Sequence, residues 1–340
     1  MMSLGPGQFR VLLALAVVLS HLSNYEVGRP AVFAFFTLSG FWVMRMYDEK
    51  YRGAGGAPIF YISRLLRIWL PFAVAYLGFL TIKSAGFGEG GAGALVSLPI
   101  LGIATSHVDV LGVSWSLDIE LQFYLLVPAI WLLLERHGGD VARGAGGRRA
   151  VPVLWPMLAA IALAVPGWWL ILRHDVTTVL AFLPSFAAGI LLWRSDWRPG
   201  WRTAMLSVAV FLGIGGLVWL QPDWRGLMLK DVETTLHEDL FGIAWMLALV
   251  PFIAYNVHRP SSRLDQHLGN YSYALYITHW PVIWLSRRLI AGDGAGLDRR
   301  VLTVAAILAV SVAFYVIVDR NCERLRQWLI RSRRPLRQAA

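Results

Sequence analysis

Arg10 and His21 lie eleven residues apart in one apolar stretch. An α-helix turns once every ~3.6 residues, so eleven residues make about three turns and set both side chains on one face, ~16 Å apart. An ionisable group inside a membrane-crossing helix is costly to bury and marks a functional site by default. Imidazole takes and returns protons near neutral pH, and guanidinium recognises anions through forked hydrogen bonds. The pair therefore describes a site with a long axis.

Glu120 and His279 fall in two further apolar stretches. With the topology argued below, His21, Glu120 and His279 come to similar depth on three helices, in the half of the bilayer away from Arg10. Each alone could be a satisfied polar residue or interhelical glue. Three proton-moving groups at one depth favour a site. Ser272, Tyr276 and His279 follow i, i+4, i+7 spacing and share a helical face. Such a stripe faces the protein interior or a wet cavity, whereas the flanking Tyr271 and Tyr273 suit an interfacial aromatic belt. Arg64 and Arg67, at i and i+3, point the same way and suit phosphate recognition. From spacing alone the simpler reading is a basic flank of snorkelling arginines; a depth shared with Arg10 gives them weight. Ser39-Gly40, in mid-stretch, permits close approach of a helix or a ligand, and spacing alone favours helix packing.

The elements that must position these groups are helices in a bilayer. Of 340 residues, 57% are hydrophobic and only 15% charged, less charge than a soluble domain carries. Apolar runs recur along the whole length, which predicts an all-α, polytopic membrane protein, one integral-membrane domain over residues 1–340. Ten spans are predicted: Phe9 to Asn24, Val32 to Tyr47, Phe60 to Ile82, Trp115 to Leu134, Val153 to Leu172, Thr177 to Trp193, Thr203 to Leu220, Leu240 to Val257, Leu268 to Ser286 and Val301 to Val318. The first lacks a cleavage site and is read as a helix rather than a signal peptide. Ala94 to Ala104 is too short to cross and reads as a re-entrant or surface piece.

If that piece does not cross, four basic regions share one side: Arg45 through Arg52, the loop with Arg136, Arg143, Arg148 and Arg149, the loop with Arg194, Arg198 and Arg202, and the tail after Arg320. The positive-inside rule then puts both termini in the cytoplasm. Arg287, Arg288, Arg299 and Arg300 fall on the other side, where they suit an anionic substrate. The net charge of +10 follows this topology and not a nucleic-acid surface. The single cysteine, Cys322, excludes an internal disulfide and a multi-cysteine metal site, and no metal is expected. Gly138 to Gly147 reads as a linker, Ala85 to Gly93 as a mobile external loop, and Gly213, Gly215 and Gly216 as close helix packing.

Five segments, in order, resemble the acyltransferase-3 family of bacterial inner-membrane O-acyltransferases. They are Arg10 with His21, Phe35-Phe36-Thr37-Leu38-Ser39-Gly40-Phe41, Arg64-Leu65-Leu66-Arg67, the run from Trp115 through Glu120 to Tyr124, and the run from Gly269 through His279 to Pro281. The resemblance implies transfer of an acyl group, most commonly acetyl, from cytoplasmic acyl-CoA to a hydroxyl of a glycan or similar acceptor on the far side. It implies that His21 is essential, that Glu120 belongs to the site, and that Arg10, Arg64 and Arg67 serve the CoA end. Two departures are Ala31-Val32-Phe33, where relatives often carry a Gly-Val-Asp type of sequence, and Asp319-Arg320-Asn321-Cys322-Glu323, which lacks a Glu-x-Pro ending.

The residues and the resemblance together predict His21 as general base, oriented by Glu120. Ser116, Tyr276 or His279 would donate to the developing oxyanion, and direct transfer ranks above an acyl-histidine intermediate. The partners expected are the acceptor and the lipid bilayer, and the location is the bacterial inner membrane. The rival classes are a transporter or flippase of a glycolipid or polysaccharide precursor, which would also use intramembrane Glu and His, and a membrane glycosyltransferase, for which Glu26 is the one acidic residue near the first span on the far side.

Overall fold

The computed structural model describes residues 4–53, 55–89, 92–138, 154–230, 236–289 and 297–331. Among them there is no strand, only one antiparallel bridge between Tyr25 and Leu229. Helices α1 (Pro6–Leu22), α2 (Gly28–Lys50) and α3 (Gly56–Phe87) follow through short turns. A 3-10 turn (Ala92–Ser97) and the short α4 (Ile103–Ser106) lead to α5 (Trp115–Gly138) and α6 (Leu154–His174). Next come a 3-10 turn (Val179–Phe182), α7 (Leu183–Ser195) and α8 (Trp201–Leu220), then α9 (Leu236–Leu247) and α10 (Val250–Val257). The described residues end with α11 (Arg263–Leu289) and α12 (Leu297–Phe314), which continues through a π turn (Tyr315–Asp319) into α13 (Arg320–Arg331).

Every expected span falls on one of these helices or helix pairs. The count is a different matter: five described helices are long and apolar enough to cross a bilayer, six if the bent α9–α10 pair is one span. The remaining ones are short, as α1 is with 17 residues, or polar near their ends, as α2 is with Arg45, Asp48, Glu49 and Lys50. The 49° bend between α9 and α10 falls at Ala248–Leu249, just before Pro251, which has no N–H for the helix ladder. Ala94 to Ala104 forms the 3-10 turn and α4, too short to span. Asp118 of α5 holds it in place by accepting the N–H groups of Gly102 and Ala104 at 3.0 and 2.9 Å. The expected linker beyond Gly138, with Arg143, Arg148 and Arg149, lies outside the described residues.

In lipid, helices gain little from the hydrophobic effect and associate through close packing and hydrogen bonds. Helix α2 is the centre, buried on nearly every side and packed on α7, α1, α9 and α5. At the α2–α7 crossing, a Cβ on Gly40 would strike the Phe186 carbonyl and one on Gly189 the Thr37 carbonyl. Only glycine lets these backbones meet, so Ser39-Gly40 packs helices as its spacing suggests. Phe36, Phe186 and Phe123 stack across α2, α7 and α5, with centroids 4.7 and 4.1 Å apart. Of the three α8 glycines only Gly215 packs closely, against Trp245; Gly213 and Gly216 face open space.

Helix α1 crosses α11 at a second close approach, where Gly269 nears the Cα of Gly7. Asp265 caps this end of α1: its carboxylate accepts the N–H groups of Gly7 and Gln8 at 3.1 and 2.9 Å, and the Ser261 hydroxyl at 2.6 Å. The α1–α11 pair carries both Arg10 and His21 on one side and the Ser272–Tyr276–His279 stripe on the other, so this contact sets the geometry of the site.

Candidate active site

Arg10 and His21 occupy opposite ends of the continuous helix α1. At the Arg10 end, α1, α2, α3, α5 and α11 enclose a cavity of about 820 Å3. Arg10, Arg64, Arg67, Ser116, Glu120 and Tyr276 all line it, so six of the eight expected site residues share one wall. His21 and His279 do not line it. The reason is a partition: the buried Tyr276 bonds Ser116 Oγ at 2.6 Å and the Val113 carbonyl at 3.2 Å, and Phe35 meets its ring edge-on at 6.4 Å.

Beyond the partition lie the imidazoles. His21 is half-buried, its ring centroid 5.2 Å from His279 and 5.0 Å from Trp280. His279 is fully buried. Its Nδ1 sits 2.6 Å from the Tyr276 carbonyl, and a carbonyl only accepts, so Nδ1 carries the hydrogen. The Nε2 atom is then left as a lone-pair acceptor, and it is buried without a hydrogen-bond partner. The loop after α8 folds over this end. Lys230 donates to the Ser20 carbonyl at 2.5 Å, and Arg287 approaches the His21 carbonyl at 3.4 Å. Burial holds the Lys230 ammonium below its ordinary range, against the opposing charge of Glu26.

Glu120 corrects an expectation. Its carboxylate accepts the Ser39 hydroxyl and the Tyr124 hydroxyl, the latter at 2.6 Å, and it faces the charge of Arg10. Its described contacts do not include His21. Helix α5 starts near Tyr276 at Ser116 and runs toward the Arg10 end, so Glu120, one turn further on, has left the imidazole level. In a low-dielectric interior the carboxylate lies where hydroxyl donors and a cation neutralise it.

The arginines also divide. Arg67 is held by Asp319 at 2.9 Å and Glu323 at 3.8 Å, beside Tyr273, whose ring centroid is 5.6 Å away. Arg64 lies over Tyr124 at 6.0 Å and its buried Nε has no partner. Asp319 and Glu323, which hold the cavity-lining Arg67, were not expected from the sequence. The departure at the chain's last helix marked their position, and the π turn that ends at Asp319 turns that side chain inward. Tyr273 donates to the Ile68 carbonyl at 2.8 Å and Tyr271 meets Ser311 at 2.7 Å, so both bond inside the protein and do not form a belt.

The profile of the acyltransferase domain family, Acyl_transf_3, matches residues 6–318. Nodulation protein 10 of Rhizobium leguminosarum bv. viciae is 24% identical over 89% of this chain and 84% of its own length. BcsY of Komagataeibacter xylinus, named as a membrane-bound transacylase, is 24% identical over 90% of this chain and 79% of its own. The acyltransferase MdmB of Streptomyces mycarofaciens is 25% identical over 62% and 58%. No solved structure matches.

Proposed function

Since the chain belongs to the acyltransferase-3 family, we propose that it transfers an acyl group, acetyl in the simplest case, from cytoplasmic acyl-CoA to a hydroxyl of a glycan or glycan-like acceptor across the membrane. One observation carries the reading: a basic cavity ends at Ser116 and Tyr276, and the His21–His279 pair stands directly behind that end. The charge bias of the loops supports a cytoplasmic opening of the cavity, in a bacterial inner membrane with both termini inside.

Donor phosphates meet Arg10 and the free edge of Arg64 through charge-assisted hydrogen bonds, while Arg67, already paired, stiffens the wall. The thin thioester-bearing arm runs along α2 toward Tyr276, and Tyr276 and Phe35 must part for it to reach His21. The acceptor enters from the His21 end, where Lys230 and Arg287 suit a negatively charged molecule. His21 takes the hydroxyl proton as the oxygen attacks the thioester carbonyl. The new C–O bond forms a tetrahedral oxyanion, to which Ser116 or Tyr276 donates. The C–S bond then breaks, and the CoA thiolate leaves with the proton returned by His21. His279 stands beside the base, and Glu120 serves the site by neutralising Arg10.

The test uses the purified chain in lipid nanodiscs with labelled acetyl-CoA and cell-envelope glycans. Label should move to an ester on the glycan and be lost with His21→Ala. A wild-type protein that moves glycolipid without cleaving the thioester overturns the proposal in favour of a transporter.

A further inference from the structure

The cavity has a second basic level that the proposed reaction has not used. Toward its open end the wall carries Arg45 and Lys50 from the last turns of α2, Arg198 from the segment between α7 and α8, and His258 with Arg259 at the end of α10. This is the mouth, because the side chains of Arg45 and Arg198 are 43% and 66% exposed. The end of α10 is pinned there by Asn256, which donates to the Leu4 carbonyl at 2.9 Å, at the start of α1. Along α2, Arg45 is six residues from Ser39, or ~9 Å beyond the level of Glu120 and Arg10, and ten residues from Phe35, or ~15 Å from the partition.

The charge balance points to an anion. Seven cationic side chains line the cavity against two carboxylates, Glu49 and Glu120. At the mouth the existing pairs are exposed ones, Arg45 with Glu49 at 2.7 Å and Arg198 with Asp196 at 3.1 Å. Exposed pairs contribute little and exchange readily for a better partner. Arg259 keeps a buried Nε without a partner, its guanidinium lying 5.3 Å from the Tyr255 ring centre. His258 keeps a buried Nε2 without a hydrogen bond, its nearest carboxylate, Asp196, being 3.8 Å away. Burial, with the charges of Arg198 and Arg45, holds this imidazole below its ordinary range against the opposing charge of Asp196. Trp42, with Arg45 5.6 Å from its ring centre, adds a flat aromatic face to the same wall.

A ligand that fits this shape is long. It carries negative charge at two levels about 9 Å apart and a flat group near the mouth, and its middle is uncharged where Val32, Phe35 and Phe36 line the wall. We propose that Arg45, Lys50, Arg198 and Arg259 form a phosphate subsite for the ribose phosphomonoester of the acyl donor's nucleotide, distinct from the inner group of Arg10 and Arg64 that meets its diphosphate. This rests on the acyl-CoA reading above. The mouth then selects nucleotide-bearing donors before the thioester has entered the membrane.

The test is a donor series on the full chain in nanodiscs: acetyl-CoA, its 3′-dephospho form and acetyl-pantetheine. For the wild type, kcat/KM should fall about tenfold or more on removal of the 3′-phosphate alone, the loss expected for one charge-assisted contact. In the Lys50→Gln, Arg259→Gln double variant that preference should largely disappear, while the ratio between the dephospho form and acetyl-pantetheine is kept. A wild type indifferent to the 3′-phosphate overturns the subsite without any mutation, and so does a double variant that loses the same factor with all three donors. A wild type that uses none of the three overturns the acyl-CoA reading itself and this inference with it.

Discussion

His21 and His279 face each other across α1 and α11 with their ring centroids 5.2 Å apart and their planes tilted by 40°. The Tyr276 carbonyl fixes the His279 tautomer, so a lone pair and not a hydrogen is presented at the buried Nε2. His279 can therefore accept a hydrogen bond at Nε2, which under the proposed reaction would come from His21 or the acceptor hydroxyl. His21→Ala should fold and lose transfer by ~10²–10⁴. His279→Ala should lose less, and His279→Gln, which can still present an acceptor oxygen, should recover part of that loss. Rates set against thermal melts in the same detergent check this; equal losses for Ala and Gln would remove the acceptor role.

Glu120 is expected to act on stability before chemistry. Glu120→Ala removes the carboxylate facing Arg10 and frees two hydroxyls. Leaving the Ser39 and Tyr124 hydroxyls without their acceptor costs about 1–3 kcal/mol, which should show as a lowered melting temperature. A variant that melts like the wild type but is inactive would return Glu120 to the reacting centre.

Arg64 and Arg67 should separate by phenotype. Arg64→Ala, at the guanidinium with a free edge, should raise the KM for acyl-CoA much more than that for the acceptor. Arg67→Ala should lower stability, and a cycle with Asp319→Ala should give a coupling of about 1–3 kcal/mol. Equal kinetic effects of both single variants, with no coupling to Asp319, would make the two arginines equivalent.

Asp265 gives a pH dependence. Burial works against its charge, but hydrogen bonds from Ser261, Gln8 and Gly7 and the charge of Arg10 prevail and hold the carboxyl below its ordinary range. A carboxyl lowered on folding contributes stability that is present above its unfolded value of ~3.9 and lost as the pH falls through its lower folded value. Asp265→Asn should therefore melt below the wild type at neutral pH, and the gap should close in acid. A gap independent of pH would mean that the cap acts through shape alone.

Several of these relationships were legible in the sequence. The period of 3.6 put Arg10 and His21 on one helix and Ser272, Tyr276 and His279 on another, and glycine in mid-stretch marked the α2–α7 crossing at Gly40. Tertiary facts were not legible. Depth arguments put Glu120 level with His21, because span directions set depth only to within a turn or two, and one turn of α5 separates Ser116 from Glu120. Asp319 reaches Arg67 through a π turn that hydropathy does not register. The basic mouth joins residues from three distant segments, and nothing local in Arg198 or Arg259 announces that they meet.

The Tyr276–Phe35 partition has a consequence for the cell. A water-filled cavity of this size that ran unbroken between the two faces would dissipate the proton-motive force. Two aromatic rings and one hydroxyl pinned to Ser116 stand between the cavity and the imidazoles, so under the proposed reaction each turnover would have to open and reseal them.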